Sequence, residues 1–290
     1  MRIQKWTMAA AMTASLGQAQ VPIDSRPTVP AVIPDSVSVE PNIHYGQYKE
    51  TVLDLLQPKA PSKEKRPGVI LIHGGGWVNG TKEQRVEYAA LKYVEHGFVV
   101  ANVEYRLAAV ATAPAAVTDV LEAAQWFQKN AKKYHVDPKR IVVTGDSAGG
   151  HLALMVAMTP RSARLGPPAQ VAAVVNFFGI TDVADQLEGP HMQKYAVTWV
   201  PEQQDRRELA KRVSPMTYVR KDLPPILTLH GDVDKTVPYE HAVNLTRELK
   251  AAGADARLIT VSQAGHGFPK ATLDDQFEHI FLFLKEKGVL

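Results

Sequence analysis

One ten-residue stretch constrains the fold of this 290-residue chain more than any other. Residues 141–150 have the sequence IVVTGDSAGG, in which three β-branched residues are followed by glycines and a serine. A continuous β-branched run is typical of a strand that is buried on both faces of a parallel sheet. Gly145 and Gly149 flank Ser147, because a Cβ there would collide with neighbouring backbone at a tight turn from strand to helix. The stretch therefore predicts a strand, a sharp turn and a helix.

Ser147 is the candidate nucleophile of the chain. The predicted turn lifts its hydroxyl clear of the sheet at a helix N-terminus, where free N–H groups and the helix dipole favour developing negative charge. A G-x-S-x-G sequence also arises by chance, so the alternative is a glycine-rich turn whose serine has no chemical role. The rest of the chain has to decide between these two interpretations.

Strand-like and helix-like segments alternate along most of the chain. This alternation is typical of an α/β fold with a mostly parallel central sheet and helices on both faces. Shorter strand-like runs between residues 37 and 55 predict antiparallel strands at the sheet edge. Buried strands are predicted at residues 68–72, 98–103, 141–143, 171–178, 225–230 and 257–261, and helices at 114–132, 239–252 and 274–287.

Residues 181–215 interrupt this alternation, because they are polar and weakly periodic. They lie between two predicted core strands, where sheets of this kind carry insertions over an active site. We expect a small cap there that shapes a substrate pocket. The alternative is a helical excursion on the surface that does not contact substrate.

The first 36 residues differ in composition from the remainder. Residues 1–19 combine a basic start, an alanine-rich apolar run and small residues at the end, which predicts a secretory signal peptide. An ordinary N-terminal helix is the alternative. The apolar run is too short to span a bilayer, so we expect export to the periplasm or medium without stable membrane insertion. Residues 20–36 are rich in proline and predict a linker, which leaves residues 37–290 as one folded domain.

Charge and cysteine content exclude several classes of function. The formal net charge is +3, and two of the basic residues, Arg2 and Lys5, lie in the predicted signal peptide, so nothing points to nucleic acid. The absence of cysteine removes disulfides, zinc–thiolate sites and cysteine nucleophiles together. The sequence also contains no cofactor-binding motif.

Three consecutive glycines follow the predicted strand at residues 68–72, in the sequence His73-Gly74-Gly75-Gly76-Trp77. Glycines cost backbone entropy on folding, so their position after a buried strand indicates a need for bare backbone. An oxyanion hole has that need, because its N–H groups must approach a developing negative charge with no side chain in the way. The alternatives are a flexible turn and a phosphate-binding loop, but the glycine spacings of phosphate-binding loops are missing.

A serine nucleophile needs a base, and the base needs an orienting carboxylate. His266 stands out among the ten histidines because it lies in a glycine-flanked loop directly after the last predicted strand. Asp232 and Asp234 both follow the strand at residues 225–230, and spacing does not choose between them. The chain order of serine, acid and histidine is that of the α/β-hydrolases. The histidines to which we assign structural roles are His73, His151 and His230.

These motifs together resemble the α/β-hydrolase esterases of the hormone-sensitive-lipase-like and feruloyl-esterase-like (BD-FAE) branch. The resemblance runs from about residue 45 to the C-terminus, through the glycine loop, Tyr105-Arg106-Leu107, the serine turn and the late aspartate and histidine loops. It implies that residues 37–290 form an α/β-hydrolase domain. By the family pattern H-G-x-x-D-x-x-V-P, it also implies that Asp234 is the catalytic acid. The oxyanion donors that it implies are the backbone N–H groups of Gly75, Gly76 and Ala148.

The chain departs from the lipase-like members at two positions. Ala109 stands where those members usually have proline, and His151 follows the serine turn where they usually have asparagine. Feruloyl-esterase-like and formamidase-like members carry histidine at the second position. The resemblance therefore leaves the subfamily and its substrate open.

The expected activity is hydrolysis of a carboxylic ester by Ser147, Asp234 and His266, without metal or cofactor. The expected substrates are short-chain esters or acetyl and feruloyl esters of carbohydrates, either small or linked to a polysaccharide. The same three residues serve amidases, formamidases and small peptidases, which are the enzymatic alternative. A non-catalytic binding module built on the same fold is a third interpretation. The aromatic side chains expected to line the substrate pocket are Trp77, Tyr195 and Trp199.

Overall fold

The computed structural model describes residues 32–290. The predicted signal peptide at residues 1–19, and residues 20–31 of the predicted linker, lie outside the described residues. The domain bounds derived from the sequence therefore stay predictions.

An eight-stranded sheet runs through the middle of the described chain. The strands are β1 (Val37–His44), β2 (Val52–Pro58), β3 (Arg66–Ile72), β4 (Val99–Val103), β5 (Val136–Asp146), β6 (Ala173–Phe177), β7 (Ile226–Gly231) and β8 (Ala256–Val261). Their order across the sheet is β1-β2-β4-β3-β5-β6-β7-β8. Strand β2 is antiparallel to both of its neighbours, and every other neighbouring pair is parallel. The predicted mostly parallel sheet with antiparallel pairing at one edge is confirmed.

Helices cover both faces of this sheet. They are α1 (Leu91–Glu95), α2 (Ala115–Asn130), α3 (Ala148–Met158), α4 (Lys194–Trp199), α5 (Arg206–Arg212), α6 (Glu240–Ala251) and α7 (Lys270–Glu286). Successive strand residues point to opposite faces, so each central strand supplies two cores. In β3, Ile70 and Ile72 pack with residues of α2, α3 and α6, whereas Val69 and Leu71 pack with residues of α1 and α7. Burial on both faces explains the unbroken apolar runs of the sequence.

Some elements differ from the sequence-based expectation. Strand β5 begins at Val136, five residues before the predicted strand, because its first part pairs with β3 across a register irregularity between Arg66 and Gly68. Helix α1 and the helical turns Lys82–Arg85 and Val86–Ala90 were not predicted from the sequence. Segments of four or five residues are too short to show a helical period.

Residues 181–215 connect β6 to β7 and contain α4, α5 and the short 3-10 turns Ala184–Gln186 and Gly189–His191. The N–H of Thr181 donates to Nδ1 of His241 in α6 at 3.0 Å. At the C-terminal end of α4, Trp199 stacks on Trp77 with ring centroids 4.1 Å apart. The segment thus packs on α6 and on the loop that follows β3. Within residues 32–290, no helix is long and apolar enough to cross a membrane.

Candidate active site

Ser147 lies at the turn from β5 into α3 and has a φ of 55° and a ψ of −120°. A positive φ strains a residue with a side chain, and such strain is typical of functional turns. A Cβ on Gly145 would collide with the backbone of Gly149. A Cβ on Gly149 would collide with the carbonyl oxygen of Ile72 and lie 2.7 Å from that of His73. The steric reason given above for both glycines is therefore confirmed.

Three side chains form one hydrogen-bonded row beyond the C-terminal ends of the parallel strands. The Ser147 hydroxyl donates to His266 Nε2 at 2.9 Å, and His266 Nδ1–H donates to Asp234 Oδ2 at 2.8 Å. Asp234 follows β7, and His266 lies between β8 and α7. Asp232 is engaged elsewhere, because its Oδ1 accepts the N–H of Gln263 at 2.6 Å. The carboxylate beside His266 is thus Asp234, as the resemblance implied.

The Asp234 carboxylate is held as an anion. Burial raises its pKa, but hydrogen bonds from His230, His266 and the Thr236 N–H outweigh burial and hold the pKa well below its usual range. The side chain of Asp234 is fully buried, so solvent does not screen its charge from His266. An ionised acid in this position stabilises the protonated form of His266 and fixes its ring orientation.

The glycine loop after β3 reaches the same place. Gly75 and Gly76 have φ values of 116° and 60°, which favour glycine, and Trp77 follows with a φ of 60°. Gly75 lines the cleft that contains Ser147. Ala148 is the first residue of α3, so its N–H belongs to the helix end that has no partner within the helix. Gly75 thus brings bare backbone into the cleft of Ser147, Gly76 follows it in the same loop, and Ala148 is the next residue after Ser147.

Two buried histidines support this loop. The ring of His73 stacks on Tyr105 with centroids 4.3 Å apart, and its Nδ1 lies 2.8 Å from the carbonyl oxygen of Gly74. His151 accepts the Trp77 indole N–H at 3.2 Å and contacts the Val213 carbonyl oxygen at 2.6 Å. Burial lowers the pKa of His151 to about 4, although the hydrogen bond to Val213 opposes the shift. The imidazole of His151 is therefore neutral at physiological pH.

The expectation that Trp77 and Trp199 line the substrate pocket is wrong. Both side chains are fully buried, and they stack on each other beneath the glycine loop. The sequence shows that aromatic residues are present but not to which side they point. Tyr195 does line the cleft, and its hydroxyl donates to Gln186 Oε1 at 2.9 Å. Its ring covers Gly76 so closely that a Cβ there would lie 2.6 Å from the ring.

The cleft around Ser147 has a volume of about 710 Å³ and is lined by both apolar and polar side chains. Its apolar lining residues include Phe178 and Phe268, and its polar ones include Asn79, Arg85 and Asp146. Arg85 binds Asp146 with Nε and Nη2, at 2.5 and 2.7 Å from the two carboxylate oxygens.

This ion pair was not predicted from the sequence. Asp146 lies inside the G-x-S-x-G motif, but no local signal marks Arg85, which is 61 positions away along the chain. In the part of the chain that the structure describes, no group of three or more histidines and carboxylates is arranged to hold a metal ion.

Most of the chain matches one known protein family. Residues 53–249 match the family model described as BD-FAE. The chain belongs to the BD-FAE family. Among curated relatives of this BD-FAE chain, esterase LipQ of Mycobacterium tuberculosis is 32% identical over 235 residues, which cover 77% of the chain and 54% of LipQ. Carboxylesterase NlhH of the same organism is 26% identical and matches 83% of the chain and 78% of its own length.

Solved structures of esterases share the fold of this BD-FAE chain. A truncated carbohydrate esterase from gut microbiota superposes with a TM-score of 0.78 at 28% identity, over 88% of this chain and 98% of that one. Thermogutta terrifontis esterase 2 with bound butyrate gives a TM-score of 0.73 at 26% identity, over 88% and 96%. The expected α/β-hydrolase fold is confirmed. The chain spans only about half the length of the first curated relatives that it matches.

Proposed function

We propose that this chain is a carboxylic ester hydrolase in which Ser147 is the nucleophile, His266 the base and Asp234 the orienting acid. The row from Ser147 Oγ to His266 to Asp234, with contacts of 2.9 and 2.8 Å, is the observation that carries the proposal. A positioned nucleophile, base and acid on one edge of a sheet is the arrangement that acyl transfer requires. The relatives and structural neighbours named above are esterases, which agrees with this activity.

In the first half of the reaction, Ser147 Oγ attacks the ester carbonyl carbon while its proton moves to His266 Nε2. The carbonyl oxygen becomes an oxyanion, for which the backbone N–H groups of Gly75, Gly76 and Ala148 are the proposed donors. The carbon–oxygen bond to the alcohol then breaks, and His266 gives the proton to the departing alcohol. An acyl group remains on Ser147.

In the second half, water gives a proton to His266 and attacks the acyl carbon. The same backbone donors hold the second oxyanion. When it collapses, the bond to Ser147 breaks, the carboxylic acid leaves, and the proton returns from His266 to the serine. Asp234 stays ionised throughout and stabilises the protonated imidazole in both halves.

For the substrate, we propose short-chain esters or acetyl and feruloyl esters of carbohydrates. The mixed lining of the cleft supports this class, because apolar side chains suit an acyl group and polar side chains suit sugar hydroxyls. One structural neighbour is described as a carbohydrate esterase, and another was solved with butyrate.

The test is a set of initial rates for the wild type and Ser147→Ala. Suitable substrates are p-nitrophenyl acetate, butyrate and octanoate, methyl ferulate, acetylated xylan and N-formylkynurenine. We expect ester turnover that depends on Ser147 and declines from acetate to octanoate. Turnover of the formyl amide in preference to every ester would contradict the proposal, and so would ester turnover that survives in Ser147→Ala.

We also propose that the protein is exported, on the basis of the sequence pattern of residues 1–19 alone. The full chain expressed in a bacterial host is then expected in the periplasm or medium, with an N-terminus near residue 20. Cell fractionation and N-terminal mass analysis test this, and an intact N-terminus retained in the cytoplasm would contradict it.

A further inference from the structure

His230 lies behind Asp234 and takes no part in the reaction steps above. It is a residue of β7 and is fully buried. Its Nε2 lies 2.9 Å from the carbonyl oxygen of Val237 and 3.3 Å from Asp234 Oδ2. A carbonyl oxygen only accepts hydrogen bonds, so His230 must carry a proton on Nε2. One N–H is thus shared between the carboxylate and the turn that follows it.

The second ring nitrogen of His230 agrees with this tautomer. Nδ1 is buried and has no hydrogen-bond partner among the described residues. A proton on Nδ1 would be a buried donor without an acceptor, which is costly, whereas an unpaired acceptor is tolerated more often. The site therefore favours the form of His230 that donates to Asp234.

Four donors surround the Asp234 carboxylate. Oδ1 accepts the N–H groups of Thr236 and Val237 at 2.8 and 3.0 Å. Oδ2 accepts His266 at 2.8 Å and faces His230 at 3.3 Å. The two backbone donors hold one oxygen, whereas His266 and His230 face the other. His230 also holds the Val237 carbonyl, which belongs to the same turn as those backbone donors.

We propose that His230 is a positioning residue that fixes Asp234 Oδ2 in the direction of His266 Nδ1. This inference rests on the proposed ester-hydrolase function. Without the Nε2–H of His230, only His266 restrains Oδ2 of Asp234. The negative charge of the carboxylate then interacts more strongly with His266, because His230 no longer offsets part of it. The imidazole of His266 then tilts relative to Ser147, and its protonated form, which cannot accept the serine proton, is favoured.

Other titratable groups face this row and set its pH behaviour as well. From α6 and the residue before it come His241, which interacts electrostatically with His230, and Tyr239, whose ring lies 5.8 Å from that of His230. From α4 comes Tyr195, which interacts with the charge of Asp234. All three side chains remain in place in the variants proposed below.

Two polar substitutions test the proposal as a matched pair. Gln at position 230 places an amide N–H about where Nε2 lies, whereas Asn is shorter and places it nearer the unpartnered Nδ1 end. We expect His230→Asn to lower kcat by about 10- to 100-fold with little change in KM, because sub-ångström misplacement of a catalytic base has effects of this size. The acidic limb of its kcat/KM profile is expected to move to higher pH. His230→Gln is expected to recover most of the rate and the wild-type limb.

A second measurement does not depend on turnover or on a variant. Long-range ¹H–¹⁵N correlation spectra of the wild type report which nitrogen of each histidine carries the proton. We expect His230 to be protonated on Nε2 and His266 on Nδ1 at neutral pH. Protonation of His230 on Nδ1 would overturn the proposal, even if Asn at position 230 prevents folding.

The outcomes separate the two proposals. A wild type without esterase activity but with the expected tautomers would contradict the proposed function and leave the structural role of His230 standing. Active His230→Asn with unchanged kcat and pH limb would overturn the role of His230 alone. Equal rate losses in the Asn and Gln variants, in proportion to their loss of stability, would also overturn it, because they would indicate a role in folding only.

Discussion

Gly149→Ala is the substitution for which the structure gives the sharpest expectation. The new Cβ would collide with the carbonyl oxygen of Ile72 and lie 2.7 and 2.8 Å from the carbonyl oxygen and carbon of His73. All of these atoms are backbone atoms of β3 and the glycine loop, so no flexible side chain is able to yield. Helix α3 and the loop must separate by roughly 1 Å, a displacement that matters for reacting groups.

Both stability and rate are expected to fall. Overpacking against backbone costs about 3 kcal/mol, the upper end of the usual range, which lowers the Tm by roughly 6–12 °C in a domain of this size. The displacement separates Ser147 from the glycine loop, so kcat is expected to fall by about 10- to 100-fold, because loss of one oxyanion donor costs at least this much.

Gly265→Ala is the matched control, since a Cβ there meets no atom within 4 Å although the next residue is His266. Its Tm is expected to equal that of the wild type within experimental error, as for most surface substitutions. Its kcat is expected to stay within about twofold of the wild-type value. Scanning calorimetry and p-nitrophenyl acetate kinetics measure both quantities. The reasoning is refuted if Gly149→Ala keeps the wild-type Tm and kcat, or if Gly265→Ala is equally damaging.

Three other perturbations have defined outcomes. Asp234→Asn is expected to lower kcat by about 10⁴-fold, because the amide supports the wrong imidazole tautomer. Asp232→Asn is expected to leave the rate within about tenfold of the wild type. Equal effects of the two substitutions in esterase assays would contradict the assignment of Asp234 as the acid. Trp199→Ala removes a fully buried indole, so denaturant titration is expected to show a loss of about 3–5 kcal/mol; a loss of binding without loss of stability would restore its predicted role in the pocket. The pKa of His151 lies at about 4 in the folded chain and near 6.5 when unfolded, so between these values only the unfolded chain takes up the proton. Stability is therefore expected to decrease as the pH falls from about 6.5 to about 4, by up to roughly 3 kcal/mol from this residue, and the slope should be smaller in His151→Gln. Burial also lowers the pKa of His241, so part of the slope remains in that variant.

The sequence is most informative at positions where local steric constraints allow only one residue type. Gly145 and Gly149 flank the serine because backbone passes close to both, and this was predictable from the turn alone. The identity of the catalytic acid was not predictable in this way. Asp232 and Asp234 are equivalent by spacing, and only the family resemblance favoured Asp234. Their difference lies in hydrogen bonds to Gln263 and His266, which depend on how two loops pack.

Long-range contacts account for what the sequence did not predict. Trp77 and Trp199 are separated by 122 positions but stack in the interior, and aromatic composition does not distinguish this arrangement from a pocket wall. Arg85 reaches the cleft through an ion pair with Asp146 that no motif contains. A structural role was expected for His230, and its contact with the Val237 carbonyl agrees with that role. Its approach to Asp234 Oδ2 is visible only in three dimensions.

The packing of Tyr195 on Gly76 links the width of the cleft to the position of the glycine-loop backbone. The ring is a wall of the cleft, and it also presses on backbone that is proposed to hold the oxyanion. A smaller side chain at position 195 widens the room for bulky acyl groups and at the same time releases the backbone beneath it. Libraries that diversify this position alone should therefore trade turnover of small esters for acceptance of large ones. Variants that escape the trade-off need a compensating change in the loop itself.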